Sequence, residues 1–141
     1  MDLKAIHHVA IIVSDYRRSR EFYVEKLGLP VLGERFRPER NDWKLDLAVG
    51  GGQLEIFSNP DAPPRPDRPE ARGLRHLAFR VEDLETAVRQ LEAQGIPCEP
   101  VRVDPCTGCR FTFFKDPDGL PLELYEQENN EKNEEKEHVS L

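Results

Sequence analysis

Two histidines and two glutamates recur at one spacing in this chain of 141 residues. His8 precedes Glu55 by 47 positions, and His76 precedes Glu123 by the same 47, so a shift of 68 carries one pair onto the other. Two imidazole nitrogens and two carboxylate oxygens suit a borderline divalent cation such as Ni²⁺, Co²⁺, Zn²⁺, Mn²⁺ or Fe²⁺, with nickel or zinc favoured. Such a set leaves coordination positions for a substrate, which a catalytic metal needs.

Charge gives a second reason to expect a cation. Two glutamates facing one partly enclosed site repel each other and resist ionisation, whereas a divalent ion neutralises both. A single histidine at the start of a strand, or a single glutamate in an alternating strand, is more often structural. Because two such pairs recur at equal spacing, we predict one divalent ion per site. Its ligands are His8, Glu55, His76 and Glu123.

The two pairs belong to a longer internal repeat. The same shift aligns HVA at 8–10 with HLA at 76–78, and LEI at 54–56 with LEL at 122–124. A small insertion and a compensating deletion account for a one-residue slip between these stretches. The chain is therefore predicted to contain two copies of one structural unit.

Each copy is predicted to have the element order βαβββ, which gives an α+β protein of two tandem modules, about 5–58 and 74–127. Asp15 and Asp83 end the first strands and can cap the helices that follow. The proline-rich stretch 59–73 is predicted to be a stiff linker. Two such modules can form a curved mixed sheet around a metal site, in one domain spanning 1–127. The strands are predicted near 5–13, 30–37, 43–49, 52–58, 74–81, 98–104, 109–115 and 120–126.

Strand alternation predicts which side chains face the site. Glu55 and Glu123 each lie between two aliphatic residues, which we expect to pack under the helices. The glutamates then face the concave side, and the same alternation gives His8 and His76 an inward face. His7 falls on the opposite face, and we interpret it as a strand-edge residue rather than a ligand.

Composition excludes several function classes. The net charge of −7 disfavours nucleic acid as a partner, because backbone recognition needs cationic residues. No apolar run approaches the roughly 20 residues of a membrane span, and no signal peptide is evident. The segment 128–141 is acidic and almost free of apolar residues, so we expect a disordered, solubilising tail.

The three cysteines do not form a disulfide framework, since their number is odd. This favours a reducing, cytoplasmic setting. Cys106 and Cys109 form a lone CxxC, for which a turn with Gly108 at its tip is favoured over a metal or redox site.

Longer motifs carry a family resemblance. The stretches HHVAIIVSD, REFYVEKLGL, QLEIF, GLRHLAFRVEDLE and FTFFKDPDGLPLELYE resemble the vicinal oxygen chelate superfamily over about residues 5–127. That superfamily includes glyoxalase I, extradiol dioxygenases, methylmalonyl-CoA epimerase and the fosfomycin- and bleomycin-resistance proteins. The chain looks most similar to small bacterial glyoxalase-like proteins described as lyases. The resemblance implies a metal at the mouth of a curved sheet, chelated by adjacent substrate oxygens. It also implies a homodimer, with modules paired within one chain or across two.

The resemblance also implies site residues. The four predicted ligands fall on the metal-ligand positions of glyoxalase I, whereas dioxygenases and fosfomycin-resistance proteins generally lack the glutamate at Glu55. Asn59 matches a position that contacts glutathione in bacterial glyoxalase I. Ile12 stands at a position where glyoxalase I usually has an arginine. Arg80 corresponds to Ile12 in the second repeat, so it is a candidate for the missing anion contact. Arg110 is a weaker candidate for that contact.

These observations predict a metal-dependent lyase or isomerase of the glyoxalase I type. Glu55 or Glu123 would remove a proton next to a carbonyl, and the metal would stabilise the resulting enediolate. The substrate would be a small molecule, such as a glutathione or CoA thioester conjugate. Alternatives are a methylmalonyl-CoA-type epimerase, a metal-dependent dioxygenase and a non-catalytic drug-binding protein. The drug-binding alternative is disfavoured, because the chain has four candidate ligands and lacks an aromatic-rich groove.

Overall fold

The computed structural model describes residues 1–128, which form two compact units. The first unit comprises Met1–Pro69 together with Asp116–Gly119, and the second comprises Glu70–Lys115 together with the chain from Leu120. Apart from Glu128, the predicted tail lies outside the described residues. No helix within residues 1–128 has the length and apolar character needed to cross a bilayer.

The first unit contains one four-stranded mixed sheet and one helical segment. The order across the sheet is β1-β4-β3-β2, with β1 parallel to β4 and the other pairs antiparallel. The helical segment begins after Asp15, whose carboxylate accepts a hydrogen bond from the Arg18 N–H at 3.1 Å. The elements are β1 (His8–Val13), α1 (Tyr16–Arg20), a π-helical continuation (Glu21–Lys26), β2 (Val31–Arg37), β3 (Asp42–Val49) and β4 (Gly52–Ser58).

The second unit repeats this topology. Its sheet has the order β5-β8-β7-β6, with β5 parallel to β8 and the remaining pairs antiparallel. Asp83 caps the helix by accepting from the Thr86 N–H at 3.2 Å. The predicted βαβββ repeat and the α+β class are thereby confirmed. The elements are β5 (Leu77–Val81), α2 (Leu84–Ala93), β6 (Arg102–Val103), β7 (Arg110–Lys115) and β8 (Pro121–Glu126).

One face of each sheet is aliphatic and buried, as alternation predicts. Leu54 and Ile56 of β4 are buried in the first unit, and Leu122 and Leu124 of β8 are buried in the second. Removing such side chains from water supplies most of the favourable free energy of folding. This burial fixes the register of β4 and β8, because a one-residue slip would exchange their two faces.

The structure differs from the predicted elements mainly before β7. The predicted strand near 98–104 is reduced to two residues, because Pro100 has no N–H to donate to a ladder. The Glu99 N–H still donates to the Phe113 carbonyl at 2.9 Å, as an isolated contact. β1 and β5 also begin about three residues later than predicted, at His8 and Leu77.

The CxxC segment is a turn, as predicted. The Gly108 N–H donates to the Asp104 carbonyl at 2.7 Å, and Gly108 has a φ of +75°. All three cysteines have free thiols. The left-handed conformation at Gly108 is the one that glycine adopts most easily, which explains its place at the tip.

Candidate metal and substrate site

In the first unit, His8 and Glu55 form a close pair. His8 begins β1 and Glu55 lies in the adjacent parallel strand β4, where it pairs with Ala10. The His8 Nε2 lies 2.8 Å from the Glu55 Oε2, and 45% of the histidine and 15% of the glutamate side chain are exposed. The pair therefore occupies the sheet face opposite the buried aliphatic residues, as predicted.

In the second unit, His76 and Glu123 repeat this arrangement. His76 immediately precedes β5, and Glu123 of β8 pairs with Ala78. The His76 Nε2 lies 3.0 Å from the Glu123 Oε2, with side-chain exposures of 33% and 10%. The structure thus brings each predicted histidine ligand together with its predicted glutamate.

Each pair supplies two kinds of donor atom that a divalent ion takes, an imidazole nitrogen and a carboxylate oxygen. Zinc binds both at about 2.1 Å and is usually tetrahedral, so two of its ligands lie about 3.4 Å apart. The observed separations of 2.8 and 3.0 Å are shorter and are those of direct hydrogen bonds between imidazole and carboxylate, so a bound ion would take the place of that bond. Among residues 1–128, no group of three or more histidine, cysteine, aspartate or glutamate side chains is arranged as a metal site. A single ion bound by all four residues therefore stays a prediction.

His7 contacts the first pair, a contact that was not predicted from the sequence. Its Nδ1 lies 2.8 Å from the Nδ1 of His8, and the two rings meet edge to face. A hydrogen bond at one ring nitrogen fixes which nitrogen of an imidazole faces its other partner. His7 therefore orients His8 so that Nε2 faces Glu55. The adjacency of the two histidines was the only sequence signal for this contact.

Lys44 of β3 also contacts the first pair. Its ammonium lies 3.0 Å from the Glu55 Oε1, and 2.7 and 2.8 Å from the two carboxylate oxygens of Asp46. Asp46 stands directly opposite Glu55 in the β3–β4 register. Hydrogen bonding to Asp46, followed by that to Glu55, raises the pKa of Lys44, so the ammonium stays charged at neutral pH. Two carboxylates on this face thus share one cation.

The second pair has aromatic neighbours instead. Phe113 of β7 stands opposite Glu123, and its ring meets the His76 ring edge to face at 5.1 Å. The Phe111 ring lies 6.0 Å from Phe113 and stacks on Tyr125 at 6.4 Å. No aromatic-rich groove was predicted from the sequence, yet this sheet face carries three adjacent rings.

The candidate substrate residues lie in different surroundings. Arg80 is exposed and stands beside Tyr125 in the β5–β8 register, on the face of Glu123. Asn59 follows β4, and its side-chain oxygen accepts from the Asp61 N–H at 3.1 Å within a turn. Ile12, at the position where glyoxalase I has an arginine, is 62% exposed.

Arg110 lies apart from the aromatic face. It alternates with Phe111 along β7 and donates to both oxygens of Glu126, at 3.0 and 2.8 Å. This bidentate contact holds the pKa of Glu126 below its usual value. An anion could engage the Arg110 guanidinium fully only by displacing Glu126.

The repeated fold and the paired histidines and glutamates define a class of protein. The chain belongs to the Glyoxalase/Bleomycin resistance protein/Dioxygenase superfamily, whose family model matches residues 5–124. The expected relationship to the vicinal oxygen chelate superfamily is thus confirmed.

Similar proteins are found among both sequences and solved structures. The chain is 60% identical over 128 residues to the uncharacterised protein YwkD of Bacillus subtilis, covering 90% of this chain and all of that protein. A crystal structure of a glyoxalase family protein from Enterococcus faecalis has 59% identity and a TM-score of 0.84, covering 89% of this chain and all of that one. A 2-epi-5-epi-valiolone epimerase from Actinomyces is 31% identical over 143 residues, covering 85% of this chain and 78% of the epimerase.

Proposed function

We propose that this protein is a divalent-metal-dependent lyase or isomerase that transfers a proton at a carbon next to a carbonyl. Its substrate would carry two adjacent oxygens, as the hemithioacetals used by glyoxalase I do. The observation that carries the proposal is the repeated histidine–glutamate pair, with donor separations of 2.8 and 3.0 Å, in a chain of this superfamily.

The residues that would hold the ion are His8, Glu55, His76 and Glu123. A bound divalent ion would supply Lewis-acid stabilisation of the negative charge that develops on the substrate oxygens. One glutamate carboxylate takes the proton from the α carbon, and the electron pair of the broken C–H bond moves towards the carbonyl oxygen. The proton then returns to the adjacent carbon, which completes an isomerisation without an external oxidant or reductant.

Epimerisation is a second candidate, favoured by the similarity to the valiolone epimerase. The same proton removal is used, but the proton returns to the same carbon from the opposite face. Two carboxylates can serve as base and acid in turn, and Glu55 and Glu123 are the two available. The substrate would then be a molecule with a stereocentre next to a carbonyl, such as a 2-methyl acyl-CoA.

The test begins with metal analysis of the purified protein and reconstitution with Ni²⁺ or Zn²⁺. The loaded protein is incubated in D₂O with the methylglyoxal–glutathione hemithioacetal or with a 2-methyl acyl-CoA, and proton NMR follows deuterium at the α carbon. We expect metal-dependent exchange or product formation with one of them. Glu55→Gln and Glu123→Gln should each retain the fold and lose roughly 10²- to 10⁴-fold in kcat.

Glu92→Gln is the matched control, because Glu92 is exposed on α2 and makes the same change in charge. It should keep wild-type kcat. Full kcat in both site variants, with the metal still bound, would exclude the proposed base. Oxygen consumption by the Fe²⁺-loaded protein would instead indicate a dioxygenase. Tight binding of an intact drug without a metal-dependent product would indicate a resistance-type protein.

The proposed substrate is a small-molecule conjugate of glutathione or CoA, and the proposed assembly is a homodimer. Analytical ultracentrifugation at micromolar concentration tests the assembly directly. A sedimentation coefficient of a 16.3 kDa monomer would contradict it.

A further inference from the structure

Four side chains form a transverse row across the second sheet. Arg80 pairs with Tyr125, Tyr125 with Phe111, and Phe111 with Arg102. Residues paired in this way point to the same face of a sheet. The cation–aromatic row, as we name these four residues, thus has a guanidinium at each end and two rings between. Adjacent strands are about 4.8 Å apart, so the row extends over roughly 14 Å.

Several contacts hold the row in place. The Arg102 guanidinium carbon lies 5.1 Å from the Phe111 ring centroid and 5.6 Å from that of Phe113. The Phe111 and Tyr125 rings are stacked with their planes 14° apart. The Tyr125 hydroxyl donates to Asp104 at 3.0 Å and also contacts Thr107. Because these contacts already fix the side chains, ligand binding costs little conformational entropy.

The row lies next to the second histidine–glutamate pair. Tyr125 and Glu123 are two residues apart on β8 and share a face, which separates them by about 6.8 Å. Phe113 bridges the two features, because its ring contacts both His76 and Phe111. A substrate whose reacting carbon is beside Glu123 can therefore reach the row with its remaining atoms.

The corresponding row of the first unit has a different character. By the same register it consists of Ile12, Phe57, Lys44 and Arg35. An aliphatic residue stands in place of Arg80, and the lysine in place of Phe111 is engaged with Asp46 and Glu55. Only the second of these two rows joins stacked rings to a guanidinium at each end.

We propose that the cation–aromatic row binds the non-reacting part of the substrate, which is an organic anion with a planar or apolar body. Its acidic group would pair with Arg80 or Arg102, and its body would stack on Phe111 and Tyr125. The proposal deepens the proposed function and rests on it for the identity of the ligand as substrate. It makes the row a determinant of substrate specificity.

The nearby acids are compatible with this role. Arg102 pairs with Glu99 at 3.1 Å, but 55% and 54% of the two side chains are exposed, so the pair is weak and a ligand anion can replace the glutamate. Asp104 accepts from the backbone N–H of Cys106 and from the Tyr125 hydroxyl, which occupies its oxygens.

Binding is measured without turnover, so that this proposal can fail independently of the proposed reaction. The probes are 3-phenylpropionate, 2-phenylethyl phosphate and neutral 2-phenylethanol, titrated into the full chain with and without Zn²⁺ and followed by amide NMR shifts. We expect an anionic probe to bind at least about tenfold more tightly than the alcohol, with shifts at Phe111 and Tyr125. The two anions tell whether a carboxylate or a phosphate is preferred.

The variant Arg80→Gln/Arg102→Gln should reduce the preference for anions to less than about threefold while leaving the weak binding of 2-phenylethanol unchanged. Arg17→Gln/Arg89→Gln is the matched control, since both arginines are exposed on helices and this variant removes the same two charges. Equal affinity for charged and neutral probes would overturn the proposal, as would an equal loss in this control variant. Absence of turnover in the reaction assay, with probe binding intact, would refute the proposed reaction and leave a binding site for organic anions.

Discussion

At the scale of single residues, the two histidine–glutamate pairs differ in what surrounds them. Glu55 shares Lys44 with Asp46, whereas Glu123 is flanked by the ring of Phe113. The ammonium of Lys44 is a hydrogen-bonding cation beside Glu55, whereas the ring of Phe113 brings no charge to Glu123. The two glutamates are thus chemically distinct, although the repeat places them identically.

Replacing Lys44 by methionine tests whether its ammonium compensates the negative charges of Asp46 and Glu55. Lys44→Met leaves Asp46 and Glu55 without their shared cation, so the free energy of unfolding of the metal-free protein should fall. Metal affinity should rise by several-fold to about tenfold, because the ion now approaches one additional uncompensated negative charge. Isothermal titration with Zn²⁺ measures the affinity, and urea unfolding measures the stability.

Lys115→Met is the control for the change in net charge, since Lys115 is exposed at the end of β7. It should change metal affinity by less than about twofold, because an exposed charge is screened by salt. Weaker metal binding in Lys44→Met than in the wild type would contradict the role assigned to Lys44.

At the scale of elements, Asp83 is predicted to give α2 a pH-dependent N-terminus. Its carboxylate accepts from the Thr86 N–H, the largest cause of the lowered pKa of Asp83. The resulting stabilisation is complete above the unfolded-state pKa of about 3.9 and is lost as the pH falls through the lower folded-state value. Asp83→Ala should therefore have a lower Tm than the wild type at pH 7, with a gap that narrows below pH 4.

Asp83→Asn separates capping from charge, because asparagine caps helices about as well as aspartate. Its Tm should exceed that of Asp83→Ala at pH 7 and should retain that advantage at pH 3. Circular dichroism melts at both pH values provide the comparison. A difference between wild type and Asp83→Ala that does not depend on pH would refute the charged cap.

The elements that burial and capping determine could be predicted from the sequence. The alternation around Glu55 and Glu123 fixed the buried and exposed faces, because a strand has a period of two. The π-helical Glu21–Lys26 was not predicted, since it depends on packing that no local pattern encodes. The short β6 was not predicted either, although Pro100 is a local signal against a longer strand. The same holds for Lys44, whose contacts with Asp46 and Glu55 come from the cross-strand register.

At the scale of the whole molecule, the sequence repeat corresponds to two units of equal topology. The same parallel pairing, β1 with β4 and β5 with β8, positions a histidine and a glutamate in each unit. The two site faces nevertheless differ. The first unit has a lysine shared by two carboxylates, whereas the second unit has stacked aromatic rings. We propose that residues 1–127 act as one domain, with the linker 59–73 joining modules that serve a single reaction.

The count of metal ions tests whether the two pairs form one site. If His8, Glu55, His76 and Glu123 share an ion, the protein binds one ion per chain. Zinc at about 100 times its Kd should then stabilise the protein by roughly 2.7 kcal/mol, a rise in Tm of a few degrees. His8→Ala and His76→Ala should each remove most of that rise, because each deletes a ligand of the same ion.

Two independent sites would behave differently. The wild type would bind two ions, and each histidine variant would keep one of them with its share of the thermal shift. Plasma emission analysis after dialysis gives the stoichiometry, and calorimetry gives the Tm with Zn²⁺ and with EDTA. Glu92→Gln changes an exposed residue of α2 that is not a predicted ligand, and it should retain the full thermal response. One ion per chain, lost together with the thermal shift in either histidine variant, is the result that a shared site requires.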